Sequence, residues 1–210
     1  MTHSESDERT AYWDAVYRQK ASTSVSWYRA HLDVSLHLLE QAGLTADSRL
    51  IDVGGGASTL VDDLLDRGQS SVTVLDLSDA SLDVARERLG NLAGAVTWIA
   101  GDVTRAHLAE GAYTHWHDRA VLHFLVEPDD VRAYAAQATH AIAPGGHAVI
   151  GGFAPDGPER CSGLPVARRS AQDLATALGP AFELLASRSE RHRTPAGAEQ
   201  SFAYVLLRRR

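Results

Sequence analysis

Four acids and one run of glycines hold the chemistry that this sequence can offer. Asp52, Asp76, Asp102 and Asp118 stand at or just beyond the ends of short apolar or β-branched runs: Leu50-Ile51, Ser71 to Leu75, Val96 to Ala100, and Tyr113 to Trp116. One acid at a strand end means little, because loops are polar. Four in succession place a row of carboxylates along the carboxyl edge of one sheet, where open α/β sheets bind ligands and where each acid can accept hydrogen bonds from hydroxyl and amino groups. Directly after Asp52 come Gly54-Gly55-Gly56 and a helical pattern from Thr59 to Asp66. Residues without a Cβ let the chain turn sharply there and let a ligand come against main-chain atoms. Asp76 lies about 20 positions beyond Gly54, the separation expected of an acid that grips ribose hydroxyls. A dinucleotide fingerprint, G-x-G-x-x-G, fails, since its third glycine would fall at Thr59, and no Walker lysine follows.

The elements that must position these groups alternate strand with helix from Asp47 onward, which predicts parallel strands joined by right-handed crossovers. The spacing predicts helices over Glu8 to Lys20, His31 to Ala42, Thr59 to Asp66, Ser78 (as N-cap) to Leu89, Asp129 to Ile142 and Ser170 to Leu178, with a short turn of helix at Leu122 to Leu125. Strands are predicted through Leu50-Ile51, at Ser71 to Leu75, Val96 to Ala100 and Tyr113 to Trp116, then at His147 to Phe153 after a Pro144-Gly145-Gly146 turn. Ala154 to Pro165, rich in proline and glycine, is a loop long enough to reach over a site. Two closing strands, Phe182 to Arg188 and Gln200 to Leu207, are joined by a polar loop and should pair antiparallel.

Size and composition set the outer limits. A chain of 210 residues suits one domain, taken here as 1–44, an N-terminal helical segment able to act as a lid, and 45–210, the core. Hydrophobic content of 44% and charged content of 22% are those of an ordinary soluble protein, and no apolar run is long enough for a membrane span. Met1 to Arg9 is polar and acidic, unlike a secretory signal, so a cytoplasmic location is expected. A net charge of -7 with dispersed acids argues against a sequence-independent grip on nucleic acid. Cys161 is the single cysteine, which excludes an intramolecular disulfide and a cysteine-rich metal site. His115 and His117 face the same way on a strand, yet no third ligand accompanies them, and no metal is expected.

The pattern Asp52-x-Gly54-x-Gly56, Asp76, Asp102, Pro144-Gly145-Gly146 and an antiparallel last strand resembles the class I S-adenosylmethionine-dependent methyltransferases, over about residues 45 to 207. The resemblance implies a three-layer Rossmann-like α/β sandwich whose seven-stranded sheet is mostly parallel with an antiparallel last strand. It implies S-adenosyl-L-methionine as cofactor and S-adenosyl-L-homocysteine as product. Gly54, Gly55 and Gly56 would then pack against its methionine and ribose parts, with Asp52, Ser58 and Leu77 in the same site. Asp76 would hold the ribose hydroxyls, Asp102 and Val103 the adenine, and Asp118 would lie near the reacting methyl. Ser58 stands where a third glycine is common in that family. Tyr12-Trp13-Asp14, Tyr17 and Ser26-Trp27-Tyr28 are similar to the start of a subgroup that includes lysine methyltransferases of citrate synthase and elongation factor 1A, which implies that Trp13 and Tyr17 cover the cofactor.

Within that resemblance the acceptor is open to three readings. Methyltransferases acting on planar amino groups carry Asn/Asp-Pro-Pro-aromatic after the fourth strand, whereas this chain has Asp118-Arg119-Ala120-Val121, which disfavours that class. The first reading is a small hydroxyl or thiol acceptor, with His123, Asp118 and Arg119 as catalytic candidates and Trp27, Tyr28, His123 and Cys161 lining its pocket. His123 could take a proton from the acceptor, although a histidine beside Leu122, Phe124 and Leu125 is more often a packed, hydrogen-bonded residue. Arg119, Arg168 and Arg169 are candidates for holding a substrate carboxylate. The second reading is a protein lysine methyltransferase with an open acidic groove beside Asp118, and the third a cofactor-binding module without activity. A monomer or homodimer acting on a small molecule, with neither nucleic acid nor membrane as partner, is the expected state.

Overall fold

The five parallel strands that carry the site assemble from the middle outward. A computed structural model describes residues 3–210. β1 (Arg49–Val53) lies at the centre, flanked by β2 (Ser71–Asp76) and, on the other side, by β4 (Tyr113–Arg119). With β3 (Val96–Ala100), β5 (Ile142–Phe153), β8 (Phe182–Arg193) and β9 (Glu199–Arg209) the sheet has seven strands in the order β3-β2-β1-β4-β5-β9-β8. Of these β9 runs antiparallel to both its neighbours, β5 and β8. A separate two-stranded ribbon pairs β6 (Arg160–Cys161) with β7 (Leu164–Pro165), inside the segment expected to be loop.

Helices cover both faces, as a parallel sheet requires. On one side α2 (Asp33–Gln41), α3 (Leu60–Asp66) and α4 (Asp79–Leu89) bury Leu36, Leu39, Leu60, Leu64 and Leu82 against Leu50, Val72 and Val74. On the other, α5 (Pro128–Ala141) and α6 (Ala171–Leu178) bury Tyr134, Ala138 and Leu174 against Ile51, Val53, Trp116 and Ile150. Alternation along each strand divides its side chains between the two cores: Leu50 goes one way and Ile51 the other. Ser78 caps α4 by accepting the Ser81 N–H at 3.1 Å, and Ser170 with Asp173 forms a reciprocal capping box at α6. Among the described residues no helix is long and apolar enough to cross a membrane.

Three expected boundaries differ from the structure. β4 runs three residues past Trp116, because its main chain continues to pair with β5 through Arg119. Pro144-Gly145-Gly146 is a bulge within β5 rather than a turn before it: pairing jumps from Tyr113–Ile142 to His115–His147. β8 and β9 extend to Arg193 and from Glu199, held by an antiparallel ladder that runs without a shift from Ala186–Leu206 to Arg193–Glu199.

Candidate active site

At the carboxyl edge of the sheet the chain leaves β1 through the glycine turn. Gly54 has φ +67°, and a Cβ there would enter Val121 Cγ2. At Gly56 a Cβ would lie 2.5 Å from both Asp76 Oδ2 and Ser81 Oγ, so this turn can follow its path against the carboxylate only without side chains. Gly55 sits against the Asp52 carboxylate.

Beside the turn opens a cavity of about 850 Å3, counted out to its mouth. One end is lined by Val53, Gly54, Leu75, Asp76, Leu77, Gly101, Asp102 and Val103. Asp76 accepts the Ser78 N–H at 2.9 Å, and burial, opposed by hydrogen bonds from Ser78 and Ser81, raises its pKa to about 6. Asp102 turns Oδ1 to the Thr104 N–H and hydroxyl at 2.9 and 2.8 Å, while its Oδ2 is buried without a partner. This end therefore offers carboxylate oxygens beside an apolar slot made by Leu77 and Val103.

A cap of aromatic side chains closes the cavity from above. α1 (His3–Gln19) docks through Asp14, whose Oδ1 accepts the Ser78 hydroxyl at 2.6 Å. Trp13 then stands edge-on to Phe124 and Trp27, with ring centroids 5.2 and 5.9 Å apart, and Tyr17 lies 6.2 Å from Trp27. Burial and the nearby Asp76 push the Tyr17 phenol up, so it stays protonated and can act as a donor. The Tyr12 hydroxyl donates to the Ser162 carbonyl, which ties the cap to the β6–β7 ribbon.

Residues 50–146 match the methyltransferase domain family. That stretch is a methyltransferase domain, and the chain has the fold of the class I S-adenosylmethionine-dependent methyltransferases. It is 36% identical over 107 residues to a ubiquinone/menaquinone biosynthesis C-methyltransferase of Methylobacterium nodulans, an alignment covering 49% of this chain and 40% of that one. The chain thus spans about two fifths of the length of this curated relative. Among solved structures, one from work on conversion of a disulfide bond into a thioacetal group during echinomycin biosynthesis superposes with TM-score 0.78 at 23% identity, covering 95% of this chain and 92% of that one. The Burkholderia thailandensis 1,6-didemethyltoxoflavin-N1-methyltransferase, solved with S-adenosylhomocysteine, superposes with TM-score 0.69 at 21% identity, covering 98% and 86%. The cofactor of methyltransferases of this fold is S-adenosylmethionine. The residues present fit it, since the unpartnered Asp102 Oδ2 and the glycine turn that a Cβ would fill supply acceptors and close approach for a nucleoside.

The other end of the methyltransferase cavity is lined by Trp27, Arg119, Ala120, His123, Phe124, Phe153, Cys161 and Phe202. His123 is packed between Phe124 and Phe153, with ring centroids 4.4 and 4.8 Å away, and neither of its nitrogens has a hydrogen-bond partner. Burial first, and then the charges of Arg119 and Arg169, lower its pKa to about 3, so the ring is neutral at physiological pH. The Cys161 thiol is pushed up to about 11 by burial and is not a thiolate near neutrality. Arg169 is held by the Leu122 and Leu125 carbonyls at 2.9 Å each, outside the lining, and Arg168 turns outward to Glu159 at 3.3 Å.

Several expected site residues are placed elsewhere. Asp118, expected near the reacting methyl, lies on the opposite face of the sheet from Asp52. Its oxygens accept the Val121 N–H, the Leu122 N–H and the Tyr134 hydroxyl at 2.8, 3.0 and 2.6 Å. The physical reason is the two-residue period: Asp118 pairs with Val53, and Asp52 with His117. Asp52 is buried behind the glycine turn, its Oδ1 2.7 Å from His117 Nδ1, while His117 Nε2 lies 2.8 Å from Ser35 Oγ. His115 is likewise engaged, with Thr114 and the Ala42 carbonyl. Among the described residues no group of three or more His, Cys, Asp or Glu side chains is placed to hold a metal ion. Ser58 and Tyr28 line an adjoining pocket together with Asp52, Thr59, Arg29 and Arg119. Sequence reasoning missed Phe153 and Phe202 in the cavity lining, Val121 over Gly54, and Ala120. Ala120 adopts φ +75° at the end of β4, a strained geometry for a residue with a Cβ, and so aims Arg119 and Val121 at the cavity.

Proposed function

We propose that this methyltransferase transfers the methyl group of S-adenosylmethionine to the hydroxyl or thiol of a small molecule held at the aromatic end of the capped cavity. The observation that carries the reading is the enclosure of that end: Trp13, Trp27 and Phe124 close over it, and it is continuous with the acid-lined end. A protein side chain would call for an open acidic groove at Asp118, and that carboxylate is fully buried and engaged. We read the chain as one domain, with residues 1–44 as lid and 45–210 as core.

The bound cofactor supplies an electrophilic methyl group, and the chain's contribution is to bind, align and dry the site. Asp76 holds the ribose hydroxyls, and Leu77, Asp102 and Val103 hold the adenine. Trp13 and Tyr17 cover the cofactor. Trp27, Phe124, Phe153 and Cys161 confine the acceptor. Fixing two reactants in one geometry can lower a barrier by up to about 10 kcal/mol, and this is the largest effect that such a site can supply. Neutral His123 orients the acceptor through a hydrogen bond. The test is incubation with methyl-labelled cofactor and cell extract. Label in a small-molecule fraction is expected; label in protein lysines would replace the acceptor class, and cofactor binding without any labelled product would leave a binding module.

A further inference from the structure

The acceptor end contains a half-buried cation with a buried donor left over. Arg119 closes β4, and its guanidinium is fixed on two sides: Nε donates to the Tyr204 hydroxyl at 2.9 Å and Nη1 to the Trp27 carbonyl at 3.0 Å. Its Cζ stands 4.5 Å from the centroid of the Phe202 ring. Glu190 is joined to it through Tyr204, whose hydroxyl donates to Glu190 Oε2 at 2.7 Å. Nη2 is buried and has no hydrogen-bond partner. Leaving a charged donor unpaired out of water is costly, so its persistence calls for a partner that the folded chain does not itself supply. Beside it lies His123, 1% exposed, with both nitrogens equally unpartnered in the same lining.

No group in this end is poised to take a proton at neutral pH. His123 is held neutral far below that range, Cys161 is protonated far above it, and the Asp118 carboxylate is turned away. A hydroxyl or thiol acceptor must therefore be ionised by its surroundings, and a fixed guanidinium favours the charged form of an acid.

Building on the methyl-transfer reading above, we propose that this end binds a flat aromatic phenol or thiophenol as its anion, with the charged oxygen or sulfur on Arg119 Nη2 and the ring among Phe124, Phe153 and Phe202. A lone pair of the anion forms the new bond to the methyl carbon. The bond from that carbon to the sulfonium sulfur breaks, and its electron pair stays on sulfur. The acceptor's proton passes to solvent as the anion forms on Arg119, so the transfer step itself cancels both charges and needs no base.

The probe is 4-nitrophenol, whose anion has its own absorbance band, with 4-nitroanisole as its neutral, O-methylated counterpart. Both are titrated into the protein loaded with S-adenosylhomocysteine. The anion should bind at least tenfold more tightly than the anisole, and at a pH below the probe's own pKa the loaded protein should raise the anion band. Arg119→Gln should abolish this preference and leave S-adenosylhomocysteine affinity within twofold. Should that variant fold poorly by thermal melting, Arg119→Lys, which keeps the charge, should retain the preference at reduced affinity. Equal binding of the two probes, or an unchanged preference in Arg119→Gln, overturns the inference while the methyltransferase reading stands. A tenfold loss of S-adenosylhomocysteine affinity in Arg119→Gln also overturns it, because Nη2 would then serve the cofactor's own carboxylate. Failure of the unmodified protein to bind S-adenosylhomocysteine removes the underlying reading, and this inference with it.

Discussion

The two ends of the cavity differ in the sense of their polarity and in how the chain builds them. The cofactor end offers acceptors, the carboxylates of Asp76 and Asp102, on the tips of strands that follow one another in the sequence. Spare donors, Arg119 Nη2 and the one N–H of the neutral His123 ring, characterise the acceptor end, among rings from β5, β9 and the N-terminal cap. The difference teaches that one polar ligand can be held by strand-tip residues and a single turn, whereas a chamber of chosen shape needs segments brought together from the whole chain. It also separates affinity from stability. At the cofactor end the fold holds a carboxylate against its own solvation, to the benefit of a ligand that donates to it.

The sharpest test of that separation is Asp76→Asn. Burial raises the folded pKa of Asp76 from 3.8 to about 6, so the folded state keeps a proton that the unfolded chain has already lost as pH rises through that interval. Stability from this group therefore falls between those values, and above them the ionised carboxylate weakens the fold by roughly 3 kcal/mol. Asn keeps an acceptor for the Ser78 N–H and removes the charge. At pH 7.5 the variant should unfold at higher denaturant, by up to roughly 3 kcal/mol, while S-adenosylhomocysteine affinity in calorimetry drops about 100-fold, the loss of charge-assisted hydrogen bonds worth roughly 1.5–3 kcal/mol each. Unchanged affinity would take Asp76 out of the site. Next in size is Gly56→Ala, whose Cβ must displace Asp76 Oδ2 or Ser81 Oγ from 2.5 Å. A fall in cofactor affinity of about tenfold is expected, with 4-nitrophenol binding less affected.

On the acceptor side, His123→Ala should reduce turnover by about tenfold and leave S-adenosylhomocysteine affinity within twofold, because the ring orients the acceptor and touches no carboxylate of the cofactor end. The pH–rate profile of the unmodified protein should carry no limb from this histidine between pH 6 and 8, since it titrates near 3. A limb that appears there and vanishes in the variant would make His123 a base and remove the need for an ionised acceptor.

The contrast between the ends is also a contrast in legibility. The first three strands, the Ser78 cap, and Asp76 and Asp102 could be read from local patterns, because an apolar run ending in a turn residue and an acid is a property of neighbouring residues. The glycine turn was readable for the same reason, although which atoms crowd it was not. Asp118 was misplaced because β4 was expected to stop at Trp116; three further residues of strand make alternation, and not proximity to the edge, decide where the carboxylate points. Pro144-Gly145-Gly146 has turn composition, yet pairing with β4 on both sides absorbs it as a bulge. Phe153 and Phe202 meet only because β9 enters between β5 and β8, and nothing local to either phenylalanine announces that. For Arg119, the sequence supplied the residue; only the fold supplies the two fixed contacts and the donor left over.

The smallest expected effect joins the two ends through pH. If Asp76 accepts from the ribose in its ionised form, protonating it in the free protein must compete with binding, and the competition begins near its folded pKa of about 6. Affinity for S-adenosylhomocysteine should be nearly flat from pH 8 to 7 and weaken by about three- to fourfold at pH 5.5. Neither His123, already neutral throughout this range, nor Cys161, protonated throughout it, contributes to the change. Calorimetry on Asp76→Asn isolates the source: its residual affinity should lose the dependence between pH 7 and 5.5. A dependence that survives in this variant would place the titrating group outside the acid-lined end, and the division of the cavity into an end that accepts hydrogen bonds and an end that donates them would fail at its first member.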